Sequence, residues 1–337
     1  MKNLLKLVPL LLLFATAITS SAQSSETNWC VSAWYYPTVQ YPGAVDSVAN
    51  HLDILVSVNP FWYTPMPDGT LQAVHDAEDE ELLAAWREAD IRVVPAIFSS
   101  VPNVIQDNLR ETHAQAIYET VKRMGYDGID IDYEGFPVET REDFSLFIER
   151  LAELLHQDNL ILSVTVHPKA KAGGAQDWKR LTAVADVFRI MTYDYTSRNE
   201  PPGPIAPVNW VEDVLDFAST VTNLEKVRMG IPFYGYTWQR GTAPSQTVTW
   251  SSIQNWVEKL GVEISRNPED MEAYMDFKVP GLPRQAIYIA DATGLSFKLK
   301  QIAAKYPDLG GVAIWGVGGE DLAMWDVLRD YVGDCVP

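Results

Sequence analysis

The chain has 337 residues and a formal net charge of −19, from 45 acidic against 26 basic side chains. So large an acidic excess repels polyanions at moderate salt, which argues against nucleic acid and anionic membrane surfaces as partners. With 11 Trp, 15 Tyr and 11 Phe the composition suits a neutral ligand that stacks on aromatic faces, although aromatics also fill cores.

Residues 1–22 read as a signal peptide: Lys2 and Lys6 precede an apolar run from Leu7 to Ile18, and Ser20 and Ala22 fit the small-residue rule for cleavage before Gln23. The run is short for a bilayer span and no later stretch is long and apolar enough to be one. The expectation is an exported protein, periplasmic or extracellular, without stable membrane insertion.

From residue 23 to 337, short apolar runs alternate with helical patterns, the mark of repeated βα units. Eight runs read as strands: Cys30–Tyr35, Asp53–Val58, Ile91–Phe98, Gly128–Glu134, Leu160–Val166, Val187–Tyr193, Val227–Phe233 and Gly311–Gly316. The clearest helix spans Arg141 to His156, where Phe144, Phe147, Ile148, Leu151, Leu154 and Leu155 form one stripe, with Thr140 and Asp143 as its expected capping box. The seventh and eighth runs are much further apart than the others. Thr247–Trp250, Ala273–Val279 and Ala286–Ile289 there read as short strands, and Thr293–Tyr306 as the last crossover helix. The fold class is therefore α/β, a (β/α)8 TIM barrel with a small α+β insertion, 239–289, on the catalytic side. In a closed barrel the first strand neighbours the last, so the only cysteines, Cys30 and Cys335, can meet. A disulfide and two buried free thiols are both open readings.

The fourth run, Asp127-Gly128-Ile129-Asp130-Ile131-Asp132-Tyr133-Glu134, carries the chemistry. Alternation puts Asp130, Asp132 and Glu134 on one face and Ile129, Ile131 and Tyr133 on the other, so three carboxyls line the barrel interior. Confinement and like charge raise carboxyl pKa values, which suits the outermost group, Glu134, to be held protonated as an acid. An acidic edge strand and a hard-cation site are the competing readings. The five histidines show no paired spacing for zinc.

This run resembles the D-x-x-D-x-D-x-E signature of glycoside hydrolase family 18, the chitinases and their relatives. Met191-Thr192-Tyr193-Asp194 resembles the family's M-x-Y-D motif. Gly230 to Tyr236 and Gly311 to Trp315 resemble its seventh- and eighth-strand motifs. With Gly318-Gly319-Glu320-Asp321, the last two are most similar to the bacterial branch of spore-cortex and cell-wall N-acetylglucosaminidases. The chain departs from that branch at Ile289-Ala290-Asp291-Ala292, where an acidic residue commonly precedes the Asp.

The resemblance implies retaining, substrate-assisted hydrolysis of a β-linked N-acetylglucosamine polymer (chitin, chitooligosaccharides or peptidoglycan strands), with no cofactor and no metal. Glu134 would be acid and base, Asp132 would orient the substrate's acetamide, and Asp130 would tune Asp132. Tyr193 would donate to the acetamide oxygen, and Asp194 and Trp315 would bind the sugar, Trp315 as its floor. Met191 shares a face with Tyr193, and Tyr35, Phe61, Tyr234, Tyr236 and Trp238 are candidate subsite aromatics. Asp127 reads as structural at the strand's entry, and His167, at the end of the fifth strand, could reach the cleft but reads first as a satisfied structural histidine. The alternatives are a non-catalytic sugar-binding relative and a metal-dependent barrel hydrolase using the same carboxyls.

Overall fold

The computed structural model describes residues 27–239, 245–278, 281, 283–333 and 335. The expected signal peptide lies outside them, as do parts of the insertion.

Eight parallel strands close into a barrel: Cys30–Tyr35, Leu55–Pro65, Ala96–Ser99, Gly128–Tyr133, Ile161–Val166, Val187–Ile190, Val227–Pro232 and Gly311–Trp315. Closure is made by the first strand, which pairs with the eighth (Cys30 opposite Gly311) and with the second (Val31 opposite Leu55). Each parallel pairing needs a crossover, and the intervening helices supply it with their apolar faces turned to the barrel. In the helix Arg141–His156 the stripe from Phe144 to Leu155 is buried as its spacing requires.

Three local differences from the sequence reading have physical causes. The third run is split into Arg92–Val93 and Ala96–Ser99, because Pro95 has no N–H to donate; its carbonyl accepts Asp130 N at 2.8 Å. The second strand runs on to Pro65 and folds back on Leu71–Ala73, a hairpin with Tyr63 opposite Ala73, while Phe61 stays in register with Ala96 of the third barrel strand. The capping box at Thr140 is not formed. Its hydroxyl donates to Pro137 O at 2.7 Å, and Asp143 pairs instead with Arg110 at 2.5 Å.

Between the seventh and eighth strands an antiparallel sheet is inserted, in the order Gln246–Val248, Gly235–Gln239, Arg284–Ile289, Ala273–Lys278, Ser265–Arg266. One face packs Ala273, Met275, Ile287 and Ile289 against Ile253 of the helix Trp250–Leu260. The sheet is tied to the barrel through the buried Glu272. Its carboxylate accepts Ile205 N and Ala206 N at 2.7 and 2.6 Å and lies 3.8 Å from Lys298 Nζ on the last crossover helix, Ala292–Lys305. At that helix's start Asp291, the residue that follows the divergent Ala290, caps Gly294 N and pairs with Arg266, each at 2.9 Å, a structural role. Cys30 and Cys335 are joined in a disulfide, with Cα atoms 5.4 Å apart. Among the described residues no helix is long and apolar enough to cross a membrane.

Candidate active site

The acidic strand delivers its carboxyls at three depths. Asp130, deepest and fully buried, accepts Trp34 Nε1 at 2.9 Å, Ser163 Oγ at 2.6 Å and Thr165 Oγ1 at 3.1 Å, with Arg189 Nη1 3.6 Å away. Arg189 is itself buried and donates to Ser163 and to Asn59 Oδ1, the latter at 3.1 Å. This internal cation was missed in the sequence; its signal was its shared inward parity with Met191 two residues on. Asp127, at the strand's entry, accepts Val93 N at 2.7 Å, a structural contact as expected.

Asp132 is buried, and its pKa is held well above the carboxylate range, first by desolvation and then by the charges of Glu134 and Asp130. It also hydrogen-bonds Glu134, while its Oδ1 has no partner. Glu134 stands one residue beyond the strand, its N–H donating to Ser99 O at 2.9 Å. Burial raises its pKa and the charge of Asp194 adds to this, against the pull of His167 and the hydrogen bond from Asp132. Asp132 and Glu134 thus form a pair that retains a shared proton at higher pH than free carboxyls do.

The sixth strand stops at Ile190, and the chain then makes two tight turns, Thr192 N to Ile190 O and Tyr193 N to Met191 O, both at 2.8 Å. Asp194 follows with φ 59°. Regular alternation would aim Asp194 away from Tyr193, but the turns bring Met191, Tyr193 and Asp194 to one cavity. Gly230 on the neighbouring strand makes room for them: a Cβ there would lie 2.6 Å from Ile190 O and 2.9 Å from the Tyr193 ring. Burial raises the pKa of Asp194, opposed by the hydroxyls of Tyr234 and Tyr236, which donate to its Oδ1 at 2.5 and 2.8 Å. Tyr193 is held well above the ordinary phenol range by burial and by the surrounding carboxyls, so its hydroxyl stays a donor.

Asp132, Glu134, Met191, Tyr193, Asp194, Trp315 and Phe61 line one cavity of about 270 Å³. A second cavity, of about 430 Å³, shares Phe61, Asp132, Glu134 and Trp315 with it and continues over Tyr36, His75 and Phe98. Trp315 is braced by Phe61 at 5.4 Å, Tyr36 at 6.0 Å and Trp34 at 6.3 Å between ring centres.

Four expected subsite aromatics are elsewhere. Tyr35 is fully buried on the helix side of its strand, with its hydroxyl on Asp76 at 2.6 Å and its ring against Trp86. Alternation turns Trp34 and Tyr36 to the cleft in its place. Tyr234 and Tyr236 are buried behind Asp194 as its donors, and Trp238 donates to Glu200 O at 2.9 Å; none of the three lines either cavity. Of the two readings of His167 the structure favours the one that reaches the cleft: its side chain is 51% exposed and its Nε2 lies 3.3 Å from Glu134 Oε2, within the site. Glu320, in the motif after the eighth strand, is buried under Gly318 N, Gly319 N and Trp325 Nε1 at 2.6 to 2.8 Å, a loop clasp. Among the described residues no group of three or more His, Cys, Asp or Glu is arranged to hold a metal ion.

Comparison with known proteins places these features in a lineage. The chain is 26% identical over 215 residues to the uncharacterized glycosylase YvbX of Bacillus subtilis, covering 62% of each chain. It is 25% identical over 224 residues to the cortical fragment-lytic enzyme of the same organism, covering 64% of this chain and 52% of that one. The chain thus spans between half and two thirds of the length of these curated relatives. Among solved structures it resembles a chitinase from Chromobacterium violaceum, with a TM-score of 0.83 and 22% identity over 90% of this chain and 98% of the other. It also resembles the Bacillus cereus spore cortex-lytic enzyme SleL, with a TM-score of 0.83 and 20% identity over 91% and 75%. Residues 95–320 match the glycosyl hydrolases family 18. That segment holds the third to eighth barrel strands and every carboxyl of the cavity, and the chain belongs to this family.

Proposed function

We propose that this protein hydrolyses the glycosidic bond of β-linked N-acetylglucosamine polymers or oligomers with net retention, using the substrate's own acetamide as nucleophile. Support comes from family membership, from relatives that include a cortical fragment-lytic enzyme and a chitinase, and above all from one observation: Asp132 Oδ1 is buried without a hydrogen-bond partner at the floor of the cavity that Glu134 overlooks. An orphaned acceptor at that depth costs stability unless a ligand donor reaches it, and an acetamido N–H over Trp315 is such a donor.

Glu134 gives its proton to the glycosidic oxygen while the acetamide oxygen closes on the anomeric carbon. The departing ring carries that proton. Asp132 stabilises the positive charge on the resulting oxazolinium, and the hydroxyl of Tyr193 holds the acetamide oxygen in line. Glu134, now ionised, takes a proton from the water that reopens the ring, which restores the starting state. Asp130, committed to its own donors, holds Asp132 in place. Export to the periplasm or the outside accords with Lys2, Lys6 and the apolar run after them, and with the disulfide.

The deciding experiment incubates the protein and Glu134→Gln with chitooligosaccharides, chitin and peptidoglycan strands and weighs the products. Loss of a positioned general acid costs about 100-fold or more in turnover, with the variant's fold intact by circular dichroism. A wild type that binds these glycans but never creates a reducing end, or full activity in Glu134→Gln, would sink the proposal; loss of activity on chelation would favour metal chemistry instead.

A further inference from the structure

A third cavity, of about 390 Å³, adjoins the catalytic one through His167 and Pro168. Its floor is apolar, made by Tyr133, Phe136, Phe144 and Pro168, and its rim is the loop that follows the fifth strand. No carboxylate lines it, although the chain carries 45 acidic residues and the catalytic cavity next door is lined by three. Its charged groups are Lys169, Lys171 and the titratable His167.

Two of these are occupied. Lys169 Nζ donates to Gly173 O at 3.0 Å and Gln176 O at 2.6 Å and lies over the Trp178 ring, which staples the loop to itself. His167 faces Glu134. The loop is fixed further by Gln176, which accepts His167 N at 3.0 Å and donates to Tyr133 O at 3.2 Å, and by Arg141, which donates to Gly174 O at 3.3 Å while paired with Asp177. Lys171 is exposed and, among the described residues, engages no hydrogen bond or ion pair. A stapled loop therefore presents one uncommitted ammonium beside an apolar wall, just past the general acid.

We infer that this cavity is the subsite for the leaving ring and that Lys171 there selects a glycan whose ring next to N-acetylglucosamine carries a carboxylate on a short apolar arm, as the lactyl ether of N-acetylmuramic acid does. The inference rests on the hydrolytic reading above and narrows its substrate. The ring whose acetamide meets Asp132 lies over Trp315, so the ring beyond the protonated oxygen leaves past Glu134 and His167 into this space. A neutral chitin ring gives Lys171 nothing to pair with. A carboxylated arm supplies both an apolar stem for Phe136 and Pro168 and a charge for the ammonium. The acidic bulk of the molecule repels such a substrate elsewhere, so the local cation decides where it can sit.

The test measures kcat/KM of wild type, Lys171→Ala and Lys171→Glu on chitotetraose and on a peptide-free tetrasaccharide of alternating N-acetylglucosamine and N-acetylmuramic acid, with peptide-bearing wall fragments as a further arm. The ratio of carboxylated to neutral turnover is expected to fall about two- to fivefold in Lys171→Ala, as for a solvent-exposed ion pair, and on the order of tenfold in the charge-reversed variant. The fall should shrink as salt rises and vanish when the carboxyls are amidated. A fall on the peptide-free glycan assigns the contact to the sugar's own arm and supports the inference; one confined to peptide-bearing fragments assigns it to the peptide's carboxylate and overturns it. A ratio within twofold of wild type on both, or a fall that persists after amidation, overturns it while leaving the hydrolytic reading intact. A wild type inactive on every glycan overturns both.

Discussion

His167 Nε2 lies 3.3 Å from Glu134 Oε2, and the charge it carries whenever protonated is what most opposes the upward push of burial on Glu134. Replacing it with glutamine keeps a polar side chain but removes that charge. Burial and the charge of Asp194 then act with less opposition, so Glu134 keeps its proton to higher pH. The alkaline limb of the kcat/KM profile, which reports loss of that proton, is expected to move upward in His167→Gln. A limb that stays in place or moves down would remove His167 from the titration of the acid. The sign follows from geometry that alternation could not provide, because His167 follows the end of its strand and its reach depends on the loop that Gln176 and Lys169 pin.

At the scale of elements, the site depends on where strands stop. The sixth strand ends early and its two turns swing Asp194 back toward Tyr193, an arrangement that fits only because Gly230 leaves space on the seventh strand. Gly230→Ala sets a methyl against Ile190 O and the Tyr193 ring. An overpacked position of this kind costs about 1–3 kcal/mol, and the displaced Tyr193 should lower turnover beyond what the loss of folded protein explains. Urea unfolding together with kcat per folded molecule checks it; full turnover at wild-type stability would show that the backbone gives way freely. The same element shows what the sequence could disclose. Period-two alternation placed Asp130, Asp132 and Glu134 on one face, and the repeat of apolar runs placed eight strands in a closed order, because both signals are local and regular. Alternation, applied as strictly to the first strand, would also have chosen Trp34 and Tyr36 over Tyr35. Asp194, His167 and the tyrosines behind Asp194 depend on turns, glycine clearance and partners dozens of residues away, such as Tyr234 and Tyr236, and no periodicity records those. For the buried ion pair of Arg189 and Asp130, parity turns Arg189 inward but does not name its partner on another strand.

For the molecule as a whole, closure is reinforced at one seam. Trp29 N donates to Tyr331 O at 3.1 Å, the two rings stack at 5.1 Å, and the disulfide links Cys30 to Cys335 across 305 residues. A cross-link spanning so long a loop stabilises by restricting the unfolded chain, typically by about 2–4 kcal/mol. The double variant Cys30→Ser, Cys335→Ser is expected to lose stability of that order in urea unfolding while its kcat at 25 °C stays within twofold of wild type. Undiminished stability would mean that the stacked rings and backbone contacts already close the seam, and lost turnover in folded protein would mean that the seam reaches the site. The seam also has an orientation. The first strand begins at it and the carboxyls emerge at the opposite ends of the strands, so Cys30 and Cys335 lie on the barrel's underside. A reductant that opens the cross-link therefore acts on the face of the barrel turned away from the cleft, at the far ends of the strands that carry the carboxyls.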